Sequence, residues 1–204
     1  MLKKVLLGIG GLIVLLVVVA YLLPSKVHVE RSTVINASAA KVFAELNNLQ
    51  KWSAWDPWQK KDPNIKNTYT GPESGVGSAN AWTSDHKEVG SGSLVITESV
   101  PNELIKSDMA FGEPGEEYGN ATATFNLTAE GENTKVVWGM DMDLGMNPMA
   151  RYFGLMMDGS IGKDFEQGLI NLKAHVESLP DEAPVATEVA PADSLAAPTV
   201  TAGS

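Results

Sequence analysis

The stretch VVWGMDMDLGMNPMARYFGLMMDGSIGKDFEQGLINLKAHV, residues 136–176, changes its hydrophobic period part-way along. From Val136 to Leu144 the apolar positions alternate: Val136, Trp138, Met140, Met142 and Leu144 face one way, Val137, Gly139, Asp141 and Asp143 the other. A period of two describes a strand with one buried and one wet face, which puts Asp141 and Asp143 in water. From Pro148, a residue suited to a first helical turn, the period lengthens. Met149, Phe153, Met156, Met157, Ile161, Phe165, Leu169, Leu172 and Val176 form the apolar face of one long helix. Gly154, Gly159, Gly162 and Gly168 interrupt it. Each glycine costs roughly 1 kcal/mol against alanine, so the helix must either approach the sheet closely or bend near Asp158-Gly159-Ser160.

The chain upstream supplies the sheet. Val27 to Asn36 alternates as an opening strand, Ser38 is an N-cap, and Ala39 to Leu46 is a short helix with Val42, Phe43 and Leu46 on one side. Next comes NLQKWSAWDPWQK, residues 48–60, with three of the five tryptophans. Trp52 and Trp55, three apart, share a face of a second short helix and are expected to wedge it against the sheet. Pro57 is expected to end that helix, leaving Trp58 for a cavity mouth or a membrane-facing rim. Asp56-Pro57 and Asp62-Pro63 read as turn punctuation. From Lys66 to Leu144, strands separated by Gly-, Pro- and Asn-bearing turns make an antiparallel meander. The fold class is α+β, with about six or seven strands around the long helix.

Two appendages flank this unit. Val5 to Leu23 is 19 residues without a charge, close to the roughly 20 that cross a bilayer as a helix. Lys3 and Lys4 precede it, which keeps the N-terminus cytoplasmic and puts the rest on the extracytoplasmic, periplasmic side; Lys26 and Arg31 weaken that assignment. A signal peptide cleaved after Val18-Val19-Ala20 is the rival, but the apolar run exceeds a signal core of roughly 7 to 15 residues. Pro180 to Ser204 is acidic, rich in Pro, Ala and Thr, and has no aromatic residue, so it is expected to stay disordered. The expected organisation is a membrane anchor at 1–25, one domain at 26–179 and a tail at 180–204.

Composition removes several functions. A formal charge of -10 without a basic face argues against nucleic acid as a partner. With no cysteine there are no disulfides, thiolate nucleophiles or Cys-ligated metals. His28, His86 and His175 lack ligand spacing and read as solvated, so no metal is expected. No G-x-S-x-G or phosphate-cradling loop occurs, and no cofactor is called for. The triplets at Asn36, Asn120 and Asn126 that fit the glycosylation pattern arise often by chance.

The opening strand into AAKVF at 39–43, WSAWDPWQKKDP, YTGPESGVGSANAWTS, SGSLVITESVP and GKDFEQGLINLK at 162–173 together resemble the START-like superfamily, also called SRPBCC, in its polyketide cyclase/dehydrase and lipid-transport branch. The likeness spans nearly all of Val27 to Val176. It implies a helix-grip fold, a curved antiparallel sheet gripping the long helix around an apolar cavity that often holds a lipid or other hydrophobic molecule. It implies no catalytic residues, because the family shares no catalytic motif.

Strand and helix parity then nominate a lining. Trp138, Met140 and Met142 oppose Met149, Phe153, Met156 and Met157, a soft wall for irregular apolar ligands. Asn80 shares parity with Trp82, and Glu98 with Leu94, Ile96 and Val100. Trp58, Ile96, Met109 and Phe111 complete the candidate set. The expected function is a membrane-tethered protein that binds a hydrophobic or amphipathic, lipid-like molecule without covalent chemistry. A cyclase or dehydratase using Glu98 as general acid/base with Asn80 as hydroxyl partner is one alternative. A protein-interaction module with a filled core is the other.

Overall fold

The computed structural model describes residues 1–113, 115 and 119–180. The expected disorder of the tail falls on residues outside that range, apart from Pro180. Helix α1 (Leu2–Leu22) leads into β1 (Lys26–Ile35), α2 (Ala39–Leu46), a 3₁₀ helix (Leu49–Ala54) and α3 (Pro57–Lys61). Strands β2 (Lys66–Thr70), β3 (Ala79–Thr83), β4 (Gly92–Val100), β5 (Leu104–Phe111), β6 (Gly119–Glu130) and β7 (Asn133–Asp143) follow, and α4 (Pro148–Ser178) closes the chain's described part.

The seven strands form one curved antiparallel sheet in the order β1-β7-β6-β5-β4-β3-β2. The meander from β2 to β7 is local, and the first strand then pairs with the last, Val29 opposite Met140. Burial follows the alternation read in β7: Val136, Trp138 and Met140 are buried, Asp141 and Asp143 exposed. α4 lies across the sheet, its face of Phe165, Leu169, Leu172 and Val176 buried in the core. Trp138 is the hub. It stacks on Phe165 at 4.1 Å and 9° and contacts Phe125 at 4.9 Å, Trp55 at 5.8 Å and Trp58 at 6.0 Å. Such aromatic pairs contribute about 0.5–1.5 kcal/mol each beyond the area they bury.

Three of the four helix glycines, Gly154, Gly162 and Gly168, have the close-approach explanation. A Cβ on Gly168 would lie 2.6 Å from the Trp138 ring and 3.1 Å from Pro57, and one on Gly162 would collide with the Arg31 guanidinium. Arg31 crosses α4 there, donating to Glu166 Oε1 at 2.7 Å and Asp158 Oδ1 at 2.9 Å. α4 is continuous through Asp158-Gly159-Ser160.

The Trp segment differs from expectation at Pro57, which begins α3 instead of ending a helix. Asp56 is the N-cap, its Oδ1 accepting from Trp58 N at 3.0 Å, and proline at the first position lacks only an N-H that would have been unpartnered. Trp52 and Trp55 do wedge against the sheet, 5.6 and 6.1 Å from Phe125. Trp52 donates its indole N-H to Leu46 O at 2.9 Å, while the buried Trp55 N-H has no hydrogen-bond partner among the described residues. His175 also departs from the solvated reading. Its Nε2 lies 2.8 Å from Glu45, a buried carboxylate that Lys51 also reaches at 2.7 Å. Burial alone would raise the Glu45 carboxyl, but Lys51 and His175 together hold it below its ordinary value.

Candidate ligand cavity

Between the β2–β6 part of the sheet and the middle of α4 lies a cavity of about 780 Å³. Ligand sites commonly fall between roughly 300 and 1,000 Å³. β2 and β3 form the far edge of the sheet, and α4 in that region contributes the small Gly159 and Ser160 between Met156, Ile161 and Phe165. The apolar wall is Trp58, Trp82, Leu94, Met109, Phe111, Trp138, Met140 and Phe165. Lining residues that are also exposed, Lys87, Glu88, Met156, Gly159, Ser160 and Lys163, mark a mouth between the β3–β4 connection and α4. Lys61 bridges Asp164 at 2.7 Å and Glu88 at 3.4 Å beside it.

One side of the cavity is polar. Asn80 Nδ2 donates to Asn67 Oδ1 at 3.0 Å, and Asn67 Nδ2 to Gln59 Oε1 at 3.1 Å. Among the described residues the buried Asn80 Oδ1 has no hydrogen-bond partner. Asp56, half-buried, also lines the cavity. Burial pushes its carboxyl up to about 6; the Trp58 N-H opposes that rise, and Asp164 adds repulsion. The Tyr69 phenol, on the same wall, is raised by burial and by the charge of Asp56. These groups offer acceptors to a ligand that brings hydrogen-bond donors.

Of the residues expected from sequence, Trp58, Asn80, Trp82, Met109, Phe111, Trp138, Met140 and Met156 line this cavity. Six do not. Glu98 is exposed, because a β-bulge between Ile96 and Glu98 shifts the register and turns both Thr97 and Glu98 to solvent. Ile96 is buried in the packed core. Met142, paired with Val27 and Ala121, packs at the core margin, as does Met157. Met149 is exposed, and Phe153 is 59% exposed: in that turn Gly154 meets the sheet, against Leu144 and Val27, which directs Phe153 outward. Sequence reasoning missed Asp56, Gln59, Asn67 and Tyr69. An Asp followed by Pro at a helix start was a legible cap, and Asn67 and Tyr69 alternate in KNTYT.

Residues 26–177 match the family described as Polyketide cyclase / dehydrase and lipid transport. The chain belongs to this family. Solved structures share its SRPBCC, START-like fold at low identity. A protein from Arthrobacter aurescens is 17% identical with a TM-score of 0.53, covering 72% of this chain and 87% of its own. An uncharacterised protein from Rhizobium leguminosarum is 18% identical with a TM-score of 0.52, covering 75% and 97%. The Aha1 dimer from Colwellia psychrerythraea is 18% identical with a TM-score of 0.50, covering 74% and 97%. No curated protein matches the sequence. The SRPBCC fold accords with binding of hydrophobic ligands, and α1 is long and apolar enough to cross a membrane.

Proposed function

We propose that this is a membrane-tethered binding protein for an amphipathic, lipid-like molecule, held with its apolar part against Trp82, Trp138 and Met140 and a donor-bearing polar group against Asp56 and Asn80. The observation that carries this reading is the unpartnered Asn80 Oδ1 on the polar side of a cavity that the raised Asp56 carboxyl also lines and whose remaining wall is largely apolar. An orphaned buried acceptor costs roughly 1–3 kcal/mol, which a ligand hydroxyl or amine would recover. An open cavity also speaks against the interaction-module alternative, which needs a filled core.

Retention of α1 as the anchor is supported by its docking. Ala20, at the rival cleavage site, is fully buried, and Arg151 and Tyr152 of α4 hold the carbonyls of Leu16, Tyr21 and Leu23. With Lys3 and Lys4 inside, the domain at 26–179 and the tail at 180–204 lie on the extracytoplasmic side. A reporter fused after Ser204 checks that side.

The binding reading is tested by native mass spectrometry and solvent extraction of the full chain purified in detergent. A co-purifying amphiphile that competes with a fluorescent fatty-chain probe is the expected result. An empty cavity that takes up no probe would sink it. Asp56 also favours an enzyme reading, now without Glu98: a carboxyl near 6 is poised to accept and return a proton near neutral pH. That reading requires turnover of the extracted ligand, lost in Asp56→Asn while probe binding persists.

A further inference from the structure

Leu144 to Met157, LGMNPMARYFGLMM, carries a single charge, Arg151. That charge is withdrawn from the surface. Arg151 is 9% exposed; its Nε and Nη2 donate to Gly145 O at 3.0 and 2.8 Å, and its Nη1 to Tyr21 O and Leu23 O at 3.3 and 3.2 Å. The guanidinium also lies 5.5 Å from the Tyr21 ring centre. It therefore satisfies carbonyls at the open end of α1, where a cation also meets the negative end of the helix dipole.

The next residue fixes depth. Tyr152 Oη donates to Leu16 O at 2.7 Å. Leu16 lies seven residues before Leu23, about 10 Å down the helix at roughly 1.5 Å per residue. The start of α4 thus runs beside the last part of the apolar span. On its free surface Met146, Met149, Phe153, Leu155 and Met156 are 71, 62, 59, 62 and 60% exposed. Elsewhere in the folded part such residues stand singly, as Val95 and Ile170 do.

We propose that the bilayer leaflet into which α1 emerges covers this patch, so that the first two turns of α4 and the loop before them lie in the boundary between headgroups and acyl chains. The inference rests on the reading of α1 as a membrane span. Side chains fixed to a spanning helix at that depth have lipid as their surroundings, and a patch without free charge suits it. Met156 belongs to both the patch and the cavity lining, which makes the membrane contiguous with the cavity mouth. Because insertion uses apolar side chains and the chain is acidic, neutral phosphatidylcholine suffices.

The absence of cysteine allows single-site labelling of the full chain. Phe153→Cys and Val95→Cys, each carrying an environment-sensitive fluorophore, are reconstituted into phosphatidylcholine vesicles with or without nitroxide lipids, and vesicle flotation is scored in parallel. The expected result is flotation, with a blue-shifted Phe153 label quenched by shallow nitroxides and shielded from aqueous iodide, while the Val95 label responds to iodide alone. Flotation with a Phe153 label open to iodide overturns the seat and leaves the anchor standing. A label shielded from both quenchers means that protein covers the patch, which also overturns it. Failure to float defeats the anchor and the seat together.

Discussion

The two ends of the space between α4 and the sheet share one helix and one sheet, yet one is filled and the other open. At the filled end Leu169, Leu172 and Val176 meet Val136, Leu46 and the cluster of Trp55, Phe125, Trp138 and Phe165. At the open end α4 offers Gly159, Ser160 and Ile161 to a wall that includes Asp56, Asn67, Tyr69 and Asn80. Burial of apolar surface stabilises the first, whereas the second leaves an acceptor unpartnered and a carboxyl raised. The contrast separates a part that holds the fold from a part to which the proposed function assigns a ligand.

Substitutions should divide along that line. The largest effect is expected from Leu172→Ala, at the filled end: a loss of about 2–5 kcal/mol in denaturant unfolding of the detergent-solubilised chain, without change in probe affinity per folded molecule. Comparable loss of affinity would mean that the two ends are not separable.

Asp56→Asn tests the open end with the opposite sign. The folded chain holds its proton up to about pH 6, whereas the unfolded chain releases it near 3.8. Stability therefore falls as pH rises through that window, and the deficit is complete above it. Asparagine keeps the cap and removes the deficit, so the variant should gain on the order of 2 kcal/mol at pH 7.5 and nothing near pH 3.5. A gain independent of pH would show that charge burial is not the cause.

Gly168→Ala probes the seam between the ends. Alanine favours the helix by roughly 1 kcal/mol, but its Cβ meets the stacked Trp138 and Pro57, so a net loss of about 1–2 kcal/mol is expected in thermal unfolding. Glu98→Gln should be nearly silent, within about 0.5 kcal/mol and without effect on probe binding or turnover, because the bulge leaves it in solvent.

The sequence made the filled end legible because periodicity reports burial. The alternation in β7, the helical face at Phe165, Leu169, Leu172 and Val176, and the cap at Ser38 all reappear in the structure. It made the open end legible only in part. Parity carries a side chain to a face, but a bulge of one residue, as between Ile96 and Glu98, inverts the assignment without a clear mark in composition. Asp56 was visible only as punctuation, because its role depends on Asp164 and Tyr69, which only the fold brings near. The turn at Phe153 failed for a related reason: Gly154 supplies the contact with the sheet, and hydrophobic patterning does not score a residue without a side chain.

The pairing of β1 with β7 bears on how such a chain is made. β1 follows α1 directly, yet β7, its one sheet partner among the described residues, emerges after nearly the whole domain. Contacts of that span close late and slowly. During synthesis the opening strand must wait with Val27, Val29 and Ile35 uncovered, and anything that shields a bare strand during that delay would guard against aggregation.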